Sequence, residues 1–327
     1  MRKLLIYAIA SASLMAQAQP IADYPAKPIR FILISGAGSG GDTVGRMLAD
    51  KMAPLIGGSF FIDNKPGAGG AIATELAAKA PPDGYTIALG GSTTHVMLPA
   101  SNSKLRYDPV KDFSPIGQVG NASILLIATN DFPANNVREL RELAKKTPGG
   151  LQYASWGIGS TGHFCGELFN QQAQAQGQAQ IAHISYKSVA QIQTDILGGH
   201  VKLAFVDMAS GSPMVKAGRV KAITTCLSRT PSLPNVSSYE DEGINLGGKR
   251  LNPFRFALYA PAGTPKPIID KLSAALKTTL EMADVKTRLL DLGITAAFIG
   301  GAELTPMNIE DIVAWKQIAK SANITND

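Results

Sequence analysis

Short apolar runs along this chain alternate with segments in which apolar residues recur every three or four positions. Residues 28–34 form the first apolar run and predict a buried strand. The apolar residues that follow have the spacing of one helix face: Val44, Met47, Leu48, Met52 and Leu55. This alternation of strand and helix predicts an α/β fold with doubly wound, mostly parallel sheets and flanking helices.

The same alternation continues through most of the chain. Further strands are predicted at 59–63, 85–89, 151–156, 181–186, 201–206 and 220–225. Helices are predicted up to residue 79, over 137–146 after a cap at Asn135 or Asn136, at 164–169, around 192–197, over 265–280 and over 308–320.

Two strand-like stretches, 116–129 and 254–260, are candidates for segments that cross from one lobe to another. A chain of 327 residues is long enough for more than one lobe. Two crossings build one lobe from both ends of the chain and the other from its middle. We therefore expect lobe 1 to comprise residues 23–122 and 253–327, and lobe 2 to comprise residues 123–252.

Glycine-rich turns at 36–42, 67–70 and 157–162 each lie between a predicted strand and a predicted helix. Such a turn exposes backbone N–H groups at a helix start, where the macrodipole also favours negative charge. Ligands of doubly wound sheets bind beyond the carboxyl ends of the strands. Turns of this kind on separate lobes therefore predict a cleft that binds a ligand carrying carboxylates.

The first turn also fits a different function. Gly36, Gly38 and Gly41 spell the G-x-G-x-x-G pattern, and Asp63 follows at the end of the next predicted strand. That arrangement is typical of dinucleotide binding, so an exported nucleotide-dependent oxidoreductase is an alternative. Two observations count against it, because the chain has an export signal and Asp63 lies in a segment that reads as a turn.

Several polar residues beside these turns have a structural and a functional interpretation. Ser160 and Thr161 can cap the helix that follows them, or donate hydroxyls to a ligand carboxylate, and both can hold. For His163 we favour packing over ligand contact. Asp42 is expected to hold the shape of its loop by accepting backbone hydrogen bonds, whereas Ser39 is freer to contact ligand.

Two charged residues follow strands of the predicted lobe 2. Lys187 follows a strand at Tyr186, where an exposed lysine is the ordinary outcome. Asp207 follows the strand 203–206, where a carboxylate can accept from a ligand N–H or O–H, or can cap a turn. In lobe 1, the strand at 85–89 runs through Gly90 to Thr94, which adds Thr94 to the candidate ligand contacts.

Residues 1–18 read as a secretory signal peptide. Arg2 and Lys3 precede the apolar stretch 4–15, and Ala16-Gln17-Ala18 offers a cleavage site. The apolar stretch is shorter than the roughly 20 residues that span a bilayer. We expect a periplasmic protein, and the alternative is an uncleaved N-terminal anchor.

Charge, cysteine and histidine content exclude other classes of function. The formal net charge of +6 is carried by scattered residues, without the basic stripe of a nucleic-acid-binding protein. Four histidines lack metal-ligand spacing, and no catalytic motif is evident. We therefore expect no metal, no cofactor, no nucleic acid and no enzymatic activity. Cys165 and Cys226 can form a disulfide or can be two separate buried residues.

Motifs spread over the whole mature chain resemble one family, the extracytoplasmic solute receptors of tripartite tricarboxylate transporters, also called Bug or TctC-like receptors. The matching segments are 24–30, the first glycine turn with Asp42 and Arg46, 64–70, 82–86, 107–116, 153–163, 166–169, 186–187 and 260–265.

The resemblance implies a two-lobed fold of the type II periplasmic binding proteins, which closes like a Venus flytrap on a small carboxylate. It also implies delivery of that ligand to the membrane components of a transporter, and we expect a monomer. A sensory receptor that serves a signalling partner is the alternative. Family ligands include di- and tricarboxylates, aromatic carboxylates, acidic amino acids and nicotinic acid.

The residues that the family pattern assigns to the ligand can be located in this sequence. They are Ser35, Gly36, Ala37, Gly38, Ser39, Ala68 and Gly69 in lobe 1, with Ser155, Gly159, Ser160 and Thr161 in lobe 2. To these we add Thr94, His163 and Asp207 as candidates. The chain departs from the pattern at Ile34-Ser35, where Pro-Phe is usual, and at Lys65, where arginine is usual. These departures affect the identity of the ligand and leave the expected fold unchanged.

Overall fold

The computed structural model describes residues 23–244 and 254–324, which form two β-sheets with flanking helices. The predicted signal peptide lies outside these residues. The first sheet contains six strands in the order β11-β4-β10-β3-β1-β2. Its strands are β1 (Ile29–Leu33), β2 (Phe60–Asn64), β3 (Thr86–Gly91), β4 (Phe113–Ala122), β10 (Phe254–Pro261) and β11 (Ile294–Ala296).

The second sheet contains five strands in the order β7-β6-β8-β5-β9. Its strands are β5 (Ile124–Ala128), β6 (Leu151–Ser155), β7 (Ile181–Ser185), β8 (Leu203–Asp207) and β9 (Lys221–Cys226). The two-lobed α/β fold expected from the sequence is thus confirmed. We call the six-stranded sheet with its helices lobe 1 and the five-stranded sheet with its helices lobe 2. For their limits we propose residues 23–122 and 253–327 for lobe 1 and residues 123–252 for lobe 2.

Both sheets are mixed, whereas mostly parallel sheets were expected. Strand β1 pairs in parallel with β2 and β3, but β10 is antiparallel to β3 and β4, and β11 is antiparallel to β4. In lobe 2, β6 is parallel to β7 and β8, but β5 is antiparallel to β8 and β9. Strands β5 and β10 enter their sheets from the other lobe and run away from the cleft, so they oppose the strands that end there.

The stretch predicted as one crossing strand at 116–129 is two strands that belong to different sheets. Strands β4 and β5 meet at Ser123, where the chain leaves lobe 1 and enters lobe 2. The Ser123 hydroxyl donates to the Cys226 carbonyl oxygen at 2.7 Å, and the Ser123 carbonyl oxygen accepts from the Met208 N–H at 3.2 Å. The second crossing strand, β10, lies entirely in the lobe 1 sheet, and its Phe254 pairs with Ala122 beside this junction.

Ten α-helices lie among the described residues; the periodicity predicts seven of them, and those at Leu98–Ser101, Met208–Lys216 and Ala283–Asp291 were not predicted. They are α1 (Gly40–Ile56), α2 (Ala71–Ala78), α3 (Leu98–Ser101), α4 (Val137–Lys146), α5 (Thr161–Ala175), α6 (Val189–Leu197), α7 (Met208–Lys216), α8 (Lys266–Glu281), α9 (Ala283–Asp291) and α10 (Gly301–Ser321). Asn136 caps α4 by accepting from the Glu139 N–H at 2.9 Å. Within the described ranges, no helix combines the length and the apolar character needed to cross a membrane.

Helix α10 contacts both lobes. Near its start, Gly301 lies against Pro115 of β4, and Leu304 is buried in lobe 1. Near its end, Trp315 packs edge-to-face on Phe164 of α5, with ring centroids 5.4 Å apart. The helix therefore packs against both lobes, through residues far from the Ser123 junction in the sequence.

Cys165 and Cys226 are joined by a disulfide, with Cα atoms 5.9 Å apart. Cys165 lies in α5, and Cys226 is the last residue of β9, beside the Ser123 junction. The sequence left open whether the two cysteines form a disulfide or are separate buried residues, and the structure shows the disulfide. It joins α5, which follows the glycine turn at 157–162, to β9, whose last residue lies beside the Ser123 junction.

Candidate functional site

A cavity lies between the lobes, at the carboxyl ends of β1, β3, β6 and β8. The volume open to the centre of a water molecule is about 80 Å³. Water needs about 10–15 Å³ of such space, so the cavity has room for more than a single water molecule in this closed form. Its wall is mainly apolar: Ile34, Leu89, Trp156, Val189, Phe254 and Phe256.

The first glycine turn places Ser35 at the cavity and Ser39 behind it. The Ser39 hydroxyl caps α1 by accepting from the Asp42 N–H at 3.4 Å, and it donates to the Gly36 carbonyl oxygen at 2.7 Å. The Ser35 hydroxyl oxygen is buried and has no hydrogen-bond partner in the described chain. A buried hydroxyl without a partner is costly, so Ser35 is the group of this turn that is free for a ligand.

Asp42 fixes the shape of the same turn. Its carboxylate accepts from the Gly38 N–H at 3.0 Å, from Arg46 Nε at 3.0 Å and from Asn64 Nδ2 at 2.9 Å. Burial raises the pKa of Asp42, but the hydrogen bonds from Arg46, Gly38 and Asn64 outweigh it and the pKa is lowered. Asp42 therefore has the structural role expected from the sequence.

The second turn of lobe 1, Gly67–Gly70, contributes backbone to the cavity wall through Gly69 and Gly70. Ala68 and Gly69 both have left-handed backbone conformations, with φ of 49° and 64°. Across the cleft, a Cβ on Gly157 would lie 2.8 Å from the Gly69 nitrogen. The backbones of the two lobes thus approach here more closely than side chains would allow.

The lobe 2 turn is held by hydroxyl and imidazole groups. The Ser160 hydroxyl caps α5 by accepting from the His163 N–H at 3.2 Å. The His163 Nδ1 accepts from the Gly159 N–H at 3.1 Å, and the Ser155 hydroxyl lies 2.7 Å from His183 Nε2. Burial lowers the pKa of His163 to about 3, with a contribution from His183. His163 is therefore neutral at pH 7 and packs beneath the turn, as expected.

Direct hydrogen bonds join the two lobes on either side of the cavity. Thr93 Oγ1 and Thr161 Oγ1 are 3.0 Å apart, and the Gly40 N–H donates to the Ser210 hydroxyl at 2.9 Å. A Cβ on Gly40 would lie 2.2 Å from the carbonyl carbon of Ala209. The lobes are therefore closed on each other in this structure.

Asp207 lines the cavity and also caps α7. Its carboxylate accepts from the Ser210 N–H at 2.9 Å and from the Ser210 hydroxyl at 3.0 Å. Burial raises the pKa of Asp207, although the Ser210 hydrogen bonds oppose the shift. Lys187 and Arg255 also line the cavity, but the Arg255 guanidinium is paired with Asp311 and Asn308 of α10.

The structure brings some of the sequence-predicted site residues to the cavity wall and leaves the others behind it. Those on the wall are Ser35, Gly69, Thr161 and Asp207. Those in the supporting loops are Gly36, Ala37, Gly38, Ser39, Ala68, Thr94, Ser155, Gly159, Ser160 and His163. Thr94 Oγ1 lies 3.2 Å from the Gly91 nitrogen and 2.9 Å from His95 Nδ1, so it stabilises the end of β3.

Sequence reasoning missed several cavity residues at the crossings and strand ends. They are Ser92, Thr93, Ser123, Trp156, Phe254, Arg255 and Phe256. Their position in the sequence could have identified them. Trp156 directly precedes the glycine turn at 157–162, and the other residues lie at the ends of strands that were predicted to cross between lobes or to reach the cleft.

Asp63, the acidic residue of the dinucleotide-like pattern, is engaged by neighbouring cations. It accepts from Arg30 Nε at 2.9 Å and lies 3.0 Å from Lys65 Nζ. Burial raises its pKa, but the hydrogen bonds from Arg30 and Lys65 outweigh this and the pKa is lowered. The carboxylate that would bind a ribose is thus held at the edge strand by two side chains. Within the described chain, no group of three His, Cys, Asp or Glu could hold a metal ion.

Comparison with known proteins identifies relatives of this chain. Residues 44–324 match the model of the family described as "Tripartite tricarboxylate transporter family receptor". A UPF0065 protein of Bordetella pertussis is 34% identical over 269 residues, which cover 82% of this chain and 81% of that protein.

Solved structures agree with the two-lobed arrangement. The chain is similar to the "periplasmic binding protein BugD" with a TM-score of 0.84 and 32% identity, over 92% of this chain and 99% of that one. It is also similar to "R. palustris Rpa4515 with adipate", with a TM-score of 0.85 and 27% identity, over 93% and 99% of the two chains.

Proposed function

This chain belongs to the receptor family of the tripartite tricarboxylate transporters, and from that premise we propose that it is a periplasmic receptor for a small carboxylate. Membership of a receptor family confirms the expectation of a binding protein in place of an enzyme. The ligand we propose is a di- or tricarboxylate or an aromatic carboxylate. The receptor binds it between the lobes and delivers it, as a monomer, to the membrane components of a tripartite transporter.

The observation that carries this proposal is the meeting of several helix N-termini at one cavity. Helices α1, α5 and α6 begin there, and Gly41, Thr161 and Val189 of their first turns line the wall. Their cap residues are the neutral serines Ser39, Ser160 and Ser188. Each cap satisfies one N–H and adds no charge, so the positive ends of the α5 and α6 dipoles remain available to an anion, whereas α1 also carries Asp42 in its first turn.

Two further features favour a carboxylate over other anions of similar charge. The Ser35 hydroxyl and the Gly69–Gly70 backbone lie on the wall opposite Thr161, so donors are present on both lobes. Apolar side chains form much of the remaining wall and suit a hydrocarbon or aromatic body. The adipate in the related R. palustris structure has this combination of carboxylates and an apolar chain.

The proposed ligand-binding residues have two roles. Ser35, Gly69, Thr161 and Asp207 contact the ligand, and the loops from Gly36 to Ser39, around Ala68 and Thr94, and from Ser155 to His163 position them. Export through the signal peptide predicted at residues 1–18 would bring the receptor to the compartment where the BugD relative works.

A thermal-shift screen of the mature protein tests the proposal. Aliphatic dicarboxylates, citrate, aromatic acids and amino acids are compared, because a ligand that binds only the folded state raises the melting temperature. Trp156 in the cavity wall gives a second readout through its fluorescence. No shift with any acid would contradict the proposal.

Substitution then locates the site. Ser35→Ala and Thr161→Ala should each weaken binding of the best acid by roughly 10-fold, since a hydrogen bond to a charged group contributes about 1.5–3 kcal/mol. Ser59→Ala, at an exposed serine of the same lobe as Ser35, is the matched control and should bind as the wild type does. Uptake of the acid by a strain lacking the receptor separates transport from a sensory role.

A further inference from the structure

Asp207 differs from the other cap residues at the cavity because it carries a charge. It is the last residue of β8, and it pairs with Ile124, the first residue after the Ser123 junction. Ser210 donates to both carboxylate oxygens, its N–H at 2.9 Å and its hydroxyl at 3.0 Å, and the backbone N–H groups of Asp207 and Ala209 also favour the charged form. Asp207 lines the cavity as well, so a donor on a ligand can approach its carboxylate from that side.

No lysine, arginine or histidine nitrogen of the described residues lies within 4.0 Å of the Asp207 carboxylate. The Arg255 guanidinium on the same wall is directed to Asp311 and Asn308, and the Lys187 side chain is exposed. Burial raises the pKa of Asp207 for the same reason, because the charge has lost water and gained no cation.

We infer that the ligand presents a hydrogen-bond donor to Asp207, and that an ammonium group on an amino-carboxylate fits this position best. The inference rests on the proposed function, since the ligand's carboxylate is placed at the backbone N–H groups of α1, α5 and α6. An ammonium supplies a cation next to Asp207, and a hydroxyl supplies a weaker donor. A second carboxylate at the same position meets like charge in a cavity with an apolar wall.

Pairs of acids that differ by one amino group test this inference directly. Suitable pairs are succinate and aspartate, glutarate and glutamate, butyrate and 4-aminobutyrate, and benzoate and 4-aminobenzoate. Affinities are measured by calorimetry at pH 7 for the wild type and for Asp207→Asn. Asparagine can still cap α7 through its amide oxygen, so the variant is expected to fold. Asp131→Asn removes the same charge from an exposed site of lobe 2 and is the matched control.

In the wild type, the amino member of at least one pair should bind at least 10-fold more tightly than its partner. Asp207→Asn should reduce that ratio at least 10-fold, whereas Asp131→Asn should leave it unchanged. A wild-type preference for the acids without an amino group, or an unchanged ratio in Asp207→Asn, overturns the inference and leaves the carboxylate receptor standing. Failure of every acid to bind the wild type overturns the proposed function and this inference with it.

A second substitution at the same position, Asp207→Ser, guards against a misfolded asparagine variant, because it keeps a cap residue and removes the charge. Circular dichroism and the melting temperature without ligand establish that both variants fold. If Asp207→Asn and Asp207→Ser both lose the preference for the amino member of a pair and melt at temperatures like that of the wild type, a contact between Asp207 and the ligand is supported. Loss accompanied in both by loss of the folded signal overturns the inference, because the effect then comes from the capping of α7.

Discussion

Gly40→Ala should weaken ligand binding by preventing the two lobes from closing. Gly40 is the first residue of α1 in lobe 1, and its N–H donates to Ser210 of lobe 2 at 2.9 Å. A Cβ there would lie 2.2 Å from the Ala209 carbonyl carbon and 2.4 Å from the Ser210 nitrogen. Carbon atoms in contact are about 3.5–4.0 Å apart, so the lobes would have to separate by about 1 Å.

The cost of this separation can be estimated from two contributions. Overpacking by one methyl group costs about 1–3 kcal/mol in a closely packed interior. Loss of the Gly40 hydrogen bond to Ser210 adds about 0.5–1.5 kcal/mol. The midpoints of these ranges give a total of about 3 kcal/mol on the closed state, which corresponds to a roughly 100-fold weaker affinity at about 1.4 kcal/mol for each factor of ten.

Calorimetry with the best acid from the screen measures the affinity, and small-angle scattering with and without that acid measures closure. The melting temperature without ligand should not fall, because alanine is a better helix former than glycine and the open form has no clash. Gly300→Ala is the matched control, since Gly300 also stands at a helix start, has φ of −71° and has no atom within 4 Å of an added Cβ. Wild-type affinity in Gly40→Ala would refute the link between this contact and binding.

Two further predictions concern stability. Replacing Cys165 and Cys226 by alanine should lower the free energy of unfolding by about 4 kcal/mol, because the disulfide closes a loop with a sequence separation of 61. Urea unfolding of the variant and of the reduced wild type measures this, and equal midpoints with and without the bond would contradict it. Burial lowers the pKa of His95 and His163 to about 3 and that of His183 to about 4. The unfolded chain therefore binds more protons below pH 6.5, and stability should fall by roughly 1 kcal/mol for each histidine between pH 7.5 and 5.5, whereas a flat urea midpoint over this range would show that these imidazoles are not buried in neutral form.

The fold could be predicted from the sequence to the extent that local patterns decide it. Apolar runs identify the strands of both sheets except β11, although they join β4 and β5 into one stretch. Of the two predicted caps of α4, Asn135 and Asn136, the structure has Asn136. Helix α7 was missed because Gly211 and Pro213 lower its helix propensity. The helix forms because Asp207 caps it and because Gly211 allows close approach to Leu125 of β5. That contact depends on tertiary structure and leaves no local signal.

The candidate site could be predicted as a set of loops, but the cavity wall could not. Ser35 and Ser39 stand in one turn, and the sequence predicts both as ligand contacts. In the structure Ser39 caps α1, and Ser35 is the hydroxyl without a partner. The direction of each side chain depends on the backbone of the turn, which Asp42 fixes through Gly38 and Asn64. Such a network of hydrogen bonds cannot be read from spacing.

The helices that begin at the cavity differ in the charge of their first residues, and this difference bears on the acids that we propose the cavity binds. Serine caps with no acidic residue in the first turn leave the dipoles of α5 and α6 uncompensated, whereas Asp42 lies in the first turn of α1. The cap of α7 is the carboxyl group of Asp207, whose pKa is raised by burial. When ionised, it reverses the sign of the charge at that helix start, and under our proposal the cavity then has one side that favours a carboxylate and one side that disfavours it. This polarity, set by the identity of the residue at 207, orients any ligand that carries an anion at one end and a donor at the other.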